Sequence, residues 1–219
     1  MKTLYEIDIT TKRASKAMGF SWGIAEEIGK NIRLLEMLGL PGIKNLNQYF
    51  KLYKNKQFQN ISLITKTNTS KISYCPIIVG VNFLDQITIM EELGEINFEN
   101  VAFPILLIPF LSRASEIIGK KILLKIDENE FLLNFNQSIY SNYSNKEILE
   151  KGETINIKFL DNKNSFNEKE WQELYKLSED TFVEESDSLK ETGAGAGLTD
   201  NDWRIWRQNF KRKRFKRIK

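Results

Sequence analysis

The sequence has no histidine, a single cysteine (Cys75) and only four prolines. Without imidazole there is no Ser-His-Asp or Cys-His nucleophilic pair and no zinc site with His ligands. One thiol cannot close an intramolecular disulfide or a Cys-rich metal site, and it suits a reducing, cytoplasmic compartment. Acid–base chemistry is left to Asp, Glu, Lys, Tyr, Cys75 or a group held by oxygen ligands; no particular cofactor is indicated. Long apolar runs are missing too. The longest, Val101 to Leu111, is eleven residues and is broken by Pro104 and Pro109. A membrane-spanning helix needs about 20 apolar residues, so this run is assigned to a core and no span is expected. The opening MKTLYEIDITTKRASKAMGF has no apolar segment of the kind that directs secretion.

What is present is an ordinary folding composition: 219 residues, 41% hydrophobic and 28% charged, enough for a sizeable core. The net charge of +3 conceals two opposed parts. Residues 203–219 hold nine of the 32 basic groups and none of the 29 acidic ones, which leaves 23 against 29, a net of −6, on residues 1–202. On net charge alone, an anionic partner is expected at the tail and not at the body.

Periodicity organises the body as α+β: an N-terminal helical hairpin or bundle on a small, mostly antiparallel sheet, a buried central helix and a C-terminal helix. Leu4 to Ile9 alternates weakly and reads as a short strand or a helix lead-in. Thr10 or Thr11 is placed as the cap of a short helix ending at Gly19. Ser21 caps a second helix, on which Ile24, Ile28, Ile32 and Leu35 form one stripe. Asn45 to Lys54 is a third helix. Two helices joined at Gly19-Phe20 resemble a helix-turn-helix, but Glu26 and Glu27 at the start of the second would oppose phosphates, which favours a plain helical hairpin. Ile61–Lys66 and Ile72–Phe83 are strand-like, the second also fitting a buried helix. Val101–Ile118 is expected to be one buried helix, kinked at Pro109 and ended by Gly119. Lys121–Ile126 and Glu130–Phe135 flank Asp127-Glu128-Asn129 as a hairpin, with Thr154–Leu160 a third strand of the same sheet. Asn167 and Glu170 form a capping box that opens a helix with Trp171, Leu174, Tyr175 and Phe182 inward.

This gives a single α+β domain over 1–183, a Gly- and acid-rich segment over 184–202 and a basic aromatic tail over 203–219. In the segment, Gly193, Gly195 and Gly197 alternate, so that backbone N–H groups can approach an anion closely. The spacing is neither a dinucleotide fingerprint nor a phosphate loop, because Leu198 and Thr199 stand where a third glycine or a Lys-Ser/Thr pair would be needed. Thr199, Asp200 and Asp202 bring oxygen ligands without calcium-loop spacing. The plainer account is a connector to the tail.

Four stretches together resemble an uncharacterised bacterial family of unknown function: GFSWGIAEEIGKNIRLLEMLGLPG (Gly19–Gly42), Cys75–Gly80, AFPILLIPFLSRA (Ala102–Ala114) and GAGAGLTDND (Gly193–Asp202). The resemblance implies a cytoplasmic bacterial protein and no assigned activity. It draws attention to the Gly193–Asp202 segment, beyond which the basic tail is an addition.

The candidate ligand-binding residues are Ser21, Trp22, Glu26, Glu27, Lys30, Arg113, Gly193, Gly195, Gly197, Thr199, Asp200 and Asp202. Each has a structural alternative. Ser21 is a helix cap, Glu26–Lys30 an i,i+4 pair worth roughly 0.2–0.5 kcal/mol, and Arg113 the half-buried partner of an acid. Cys75, before Pro76 in apolar surroundings, is expected to be an inert core thiol. In the tail, Trp203, Trp206 and Phe210 share a helical face, and Arg204, Arg207, Lys211, Arg212, Lys213 and Arg214 suit an acidic protein, a membrane surface or RNA. Two functions follow. One is a small-molecule-binding protein or enzyme with its site where Gly193–Asp202 meets the helix of Glu26 and Lys30. The other is a non-catalytic accessory protein docking a partner through the tail. A homo-oligomer is compatible with either.

Overall fold

The computed structural model describes residues 2–143, 148–163, 165–179 and 181. Backbone contacts divide the chain into two units, Met1–Lys163 and Asn164–Lys219. The first begins with α1 (Leu4–Ala17), α2 (Trp22–Met37) and α3 (Gly42–Tyr53). Thr3 caps α1: its hydroxyl accepts from Glu6 N at 3.1 Å while the Glu6 carboxylate accepts from Thr3 N at 2.8 Å. This reciprocal cap starts the helix well before Thr10, so the weak alternation of Leu4–Ile9 lies inside a helix. On α2 the expected stripe holds, with Ile28, Ile32 and Leu35 fully buried and Ser21 Oγ accepting from Ile24 N at 3.3 Å.

After α3 come β1 (Thr67–Asn68), α4 (Pro76–Asp85), α5 (Ile87–Leu93) and β2 (Glu95–Ala102). The strand expected over Ile61–Lys66 is absent, and most of Ile72–Phe83 is the helix α4. Pro76 stands in the first turn of α4, where its missing N–H costs nothing, and Cys75 caps it. The β-branched run Ile77-Ile78-Val79 is overridden by packing. Gly80 lies so close to α6 (Ile108–Ile118) that a Cβ there would overlap the Phe110 ring.

Val101–Ile118 is likewise not one helix. Val101 and Ala102 finish β2, Phe103 turns the chain at φ +43°, and a 3-10 turn over Pro104–Leu107 leads into α6. Pro109 therefore sits in the first turn of α6 and imposes no kink. Gly119, left-handed at φ +64°, ends the helix as expected.

The remaining strands are β3 (Lys121–Ile126), β4 (Asn129–Asn134), β5 (Ser138–Ser141) and β6 (Lys151–Leu160), in the sheet order β1-β2-β6-β3-β4-β5. Only β1–β2 is parallel. Ile126 pairs with Asn129, so the hairpin turn is Asp127-Glu128 alone. Asp127, at φ +51°, accepts from Thr154 N at 2.8 Å and ties the turn to β6. Alternate residues such as Ile122, Leu124, Ile126, Ile155 and Ile157 are buried. Against the sheet pack α5 and α6, while the N-terminal helices meet this layer mainly at α4, α6 and the 3-10 turn.

In the second unit the capping box expected for α7 (Glu168–Glu179) is present: Asn167 Oδ1 accepts from Glu170 N at 3.0 Å, and the Glu170 carboxylate accepts from Asn167 N at 2.8 Å. Trp171, Leu174 and Tyr175, expected inward, are exposed. Periodicity groups apolar residues on one face without supplying a surface to cover them, and here Trp171 stacks on Phe166 at 5.7 Å. Phe182 lies outside the described residues.

Filling the α4–α6 contact tests this packing. Gly80→Ala should lower stability by about 1–3 kcal/mol in urea unfolding, and adding Phe110→Leu should recover part of that loss. Simply additive losses in the double variant would mean that the two positions do not touch.

Candidate functional site

Four of the six sequence-selected residues of the first unit, Glu26, Glu27, Lys30 and Arg113, come together. Glu26 and Lys30, one turn apart on α2, are 3.1 Å apart, and Lys12 of α1 reaches Glu26 at 3.2 Å. Lys30 also contacts Glu27 at 3.3 Å, and Glu27 is in turn bound by Arg113 of α6. Two carboxylates and three cations thus link three helices. The Lys30 and Lys12 ammonium groups hold the Glu26 carboxyl below its ordinary value of 4.5. Glu26 and Glu27 hold Lys30 above 10.5. Every carboxylate here is committed to a cation, as structural ion pairs are. Trp22 is exposed on the same helix, with the Lys16 ammonium 5.5 Å from its ring.

Cys75 is closed to chemistry. It is 1% exposed, lies 3.0 Å from the Tyr49 hydroxyl and accepts from Ile78 N at 3.5 Å. Burial pushes both the Cys75 thiol and the Tyr49 phenol upward, so each stays neutral. Among the described residues no three Asp, Glu or Cys side chains gather closely enough to hold a metal. Gly193, Gly195, Gly197, Thr199, Asp200, Asp202 and the tail cations Arg204, Arg207, Lys211, Arg212, Lys213 and Arg214 lie outside the described residues.

A roomy concave feature among the described residues is one the sequence did not single out. A cleft of about 710 Å³ opens where the end of α3, the loop before α4, the end of β2 and the start of β6 meet. Its apolar wall includes Phe58, Ile72 and Phe103; its polar side carries Lys56, Lys71, Lys151, Gln57 and Ser73, with Glu150 the single acid. Lys151 is answered by Glu153 at 3.3 Å. Lys56 and Lys71 have no acidic partner among the described residues.

The wall is built by threading the Tyr74 segment beside β2: Tyr74 N donates to Asn100 O at 2.8 Å and Ala102 N to Tyr74 O at 3.1 Å. Asn100 at φ +64° and Phe103 at φ +43° both line the cleft. Asn100 Oδ1 accepts from Ser73 Oγ at 2.6 Å, which holds the Lys71 loop against the strand. Left-handed geometry is unusual for phenylalanine and costs about 1–3 kcal/mol. Burial of its ring edge-on to Tyr49, at 5.9 Å, and the bond from Phe103 N to Glu150 O hold it there.

A linear signal for this face does exist. From Met37 to Leu84 the chain has no Asp or Glu but six lysines: Lys44, Lys51, Lys54, Lys56, Lys66 and Lys71. All six are exposed. A net charge of −6 over residues 1–202 therefore does not describe a body whose charges are segregated along the chain. By contrast, a smaller depression of about 310 Å³ between α1 and α3 is mostly apolar and carries one charge of each sign, Lys2 and Glu6, which pair with each other.

The model of a family described as a protein of unknown function, DUF3726, matches residues 3–75. The matched third of the chain contains the Gly19–Gly42 stretch of the resemblance and the Lys56 and Lys71 side of the cleft, but not Lys151. No curated protein and no solved structure matches the chain. Among the described residues no helix is long and apolar enough to cross a membrane.

The ion-pair network predicts a pH dependence. Because the folded-state value of Glu26 is depressed, its contribution is present above pH 4.5 and disappears as pH falls through that lower value. The contribution of Lys30, raised above 10.5, is complete below 10.5 and is lost only as pH rises further. Glu26→Gln should therefore flatten the acid limb of a stability-versus-pH curve and leave its neutral plateau shape unchanged. Glu27→Gln, which strands the half-buried Arg113, should cost about 2 kcal/mol in denaturant unfolding at pH 7. No loss would show that the α2–α6 pair carries nothing.

Proposed function

We propose that the protein binds an anionic ligand in the cleft between the end of α3 and the β2–β6 end of the sheet. The observation that carries this reading is the pair Lys56 and Lys71, two unanswered cations on the rim of a roomy, partly apolar cleft. An ammonium group attracts a phosphate or carboxylate as a point charge, and the neighbouring apolar wall strengthens that attraction by lowering the local dielectric. Ser73, Gln57 and Asn100 add hydrogen-bonding groups, and strained backbone of the Phe103 kind often accompanies ligand sites. The residues lining the cleft offer no activated nucleophile, so the function supported is recognition. A bacterial, cytoplasmic setting belongs to the same proposal and is supported by the single buried cysteine.

Thermal unfolding of the full chain should rise with inorganic phosphate, nucleotides or multivalent carboxylates and not with neutral analogues. A ligand at 100 times its Kd adds about 2.7 kcal/mol. The Lys56→Gln/Lys71→Gln variant should lose the response. Equal shifts from neutral analogues, or an undiminished response in this variant, would count against the cleft. A response lost instead in Gly195→Val would locate binding at Gly193–Asp202.

A further inference from the structure

We infer that the ligand is a single-stranded nucleic acid lying along the lysine face, with the cleft receiving part of the strand; this rests on the anion-binding reading above. The cleft is not isolated. A second depression of about 470 Å³ shares Lys56, Gln57, Phe58 and Ile72 with it and adds Tyr53, Gln59 and Asn60. A third, of about 420 Å³, is lined by Asn47, Lys51 and Lys54 beside Met18 and Phe50. The last turns of α3 join all three. The first two depressions carry Lys56 and Lys71 and the third, on the same end of α3, carries Lys51 and Lys54; none of the four pairs with an acid among the described residues. A mononucleotide would occupy one of these depressions and leave the rest unused.

Three further features favour a nucleic acid strand over an acidic peptide. Tyr53 and Phe58 form a nearly parallel pair, with ring centroids 6.1 Å apart and planes at 9°. Both are half-buried and backed by Tyr49, at 5.5 and 5.3 Å, and Tyr53 also stacks on Phe20 at 5.1 Å, so the pair is held in place and Phe58, which lines both joined depressions, is the ring placed for base stacking. Primary amides at Asn47, Gln57, Gln59 and Asn60 line the same depressions as the lysines and present both donors and acceptors, as base edges require. The face is concave, and among the described residues no helix or ribbon projects from it to enter a duplex groove, which favours an unpaired strand. The remaining charges orient the strand. Six lysines without an acid over residues 37–84, within residues 1–202 of net charge −6, leave −12 on the remainder of those residues, a balance that disfavours a polyanion there.

Fluorescence anisotropy of the full chain with labelled ten-nucleotide oligo-dT and oligo-U, at several salt concentrations, tests this. The oligomers should bind at least tenfold more tightly than UMP. The Lys51→Gln/Lys54→Gln/Lys56→Gln/Lys71→Gln variant should bind them at least tenfold more weakly, with the salt slope reduced by about 0.7 for each lysine that contacts phosphate. Phe58→Leu, checked for folding by its melting curve, should weaken binding about tenfold with an unchanged salt slope, the signature of lost stacking. UMP binding as tightly as the oligomers, with both weakened by the lysine substitutions, would overturn the strand and leave the anion site standing. Oligomer affinity untouched by the lysine substitutions would assign polyanion binding to the tail and overturn the inference. Polyglutamate competing as well as oligo-U at equal charge would overturn it in favour of an acidic partner. No binding of phosphate, UMP or oligomer would remove both readings.

Discussion

Twelve consecutive residues, Val101–Ser112, have no appreciable contact with solvent, and the first unit is arranged around that fact. No single helix or strand carries the run. It finishes a strand, reverses through a left-handed phenylalanine, tightens into a 3-10 turn and opens into α6. Each change of conformation exposes a different side to a different neighbour, so α3, α4 and the sheet can all bury apolar surface on the same short segment. The strain at Phe103 is offset by that burial. It also sets the end of β2, and thereby the cleft whose wall Phe103 forms.

Charge is distributed by the same architecture. The acids that give residues 1–202 their negative balance lie outside the 37–84 stretch, and two of the three on α2, Glu26 and Glu27, are consumed in the network with Lys12, Lys30 and Arg113. What remains without an acidic partner among the described residues is Lys51, Lys54, Lys56 and Lys71, at the end of α3 and on the loops that follow it. A structural ion-pair cluster and a basic face thus coexist in one small unit, and their chemical prospects differ. The first holds helices together. The second is open to a partner.

The helical hairpin was legible because local signals agreed: Ser21 as a cap, Ile28, Ile32 and Leu35 at helical spacing, Gly39 and Pro41 as stops. The β3–β4 hairpin and the α7 capping box were legible for the same reason. Legibility failed where tertiary burial overruled local preference. Ile77-Ile78-Val79 left strand and buried helix open, and the choice falls to the helix because Gly80 lets α4 press on Phe110. Pro109 suggests a kink, yet it starts a helix because the preceding residues are not helical in the α sense. β2 and β5 were not recognised: half of β2 is polar, and β5 is four residues paired only at one edge. Of the candidate site, Glu26, Glu27, Lys30 and Arg113 were found as a group, and the structure shows them paired with one another.

By itself the sequence determined the exclusions and the segregation of charge. It has no histidine, a single cysteine and a 48-residue stretch of six lysines without an acid, and composition alone decides what chemistry those residues can perform. Which of those lysines face a cavity was decided only by the tertiary structure. Lys56, Lys71 and Lys151 are separated by up to 95 positions, and no local periodicity relates a loop after a helix to the first residue of a strand. They meet because antiparallel pairing lays the start of β6 beside the end of β2, and because the backbone of Tyr74 bonds to that same end.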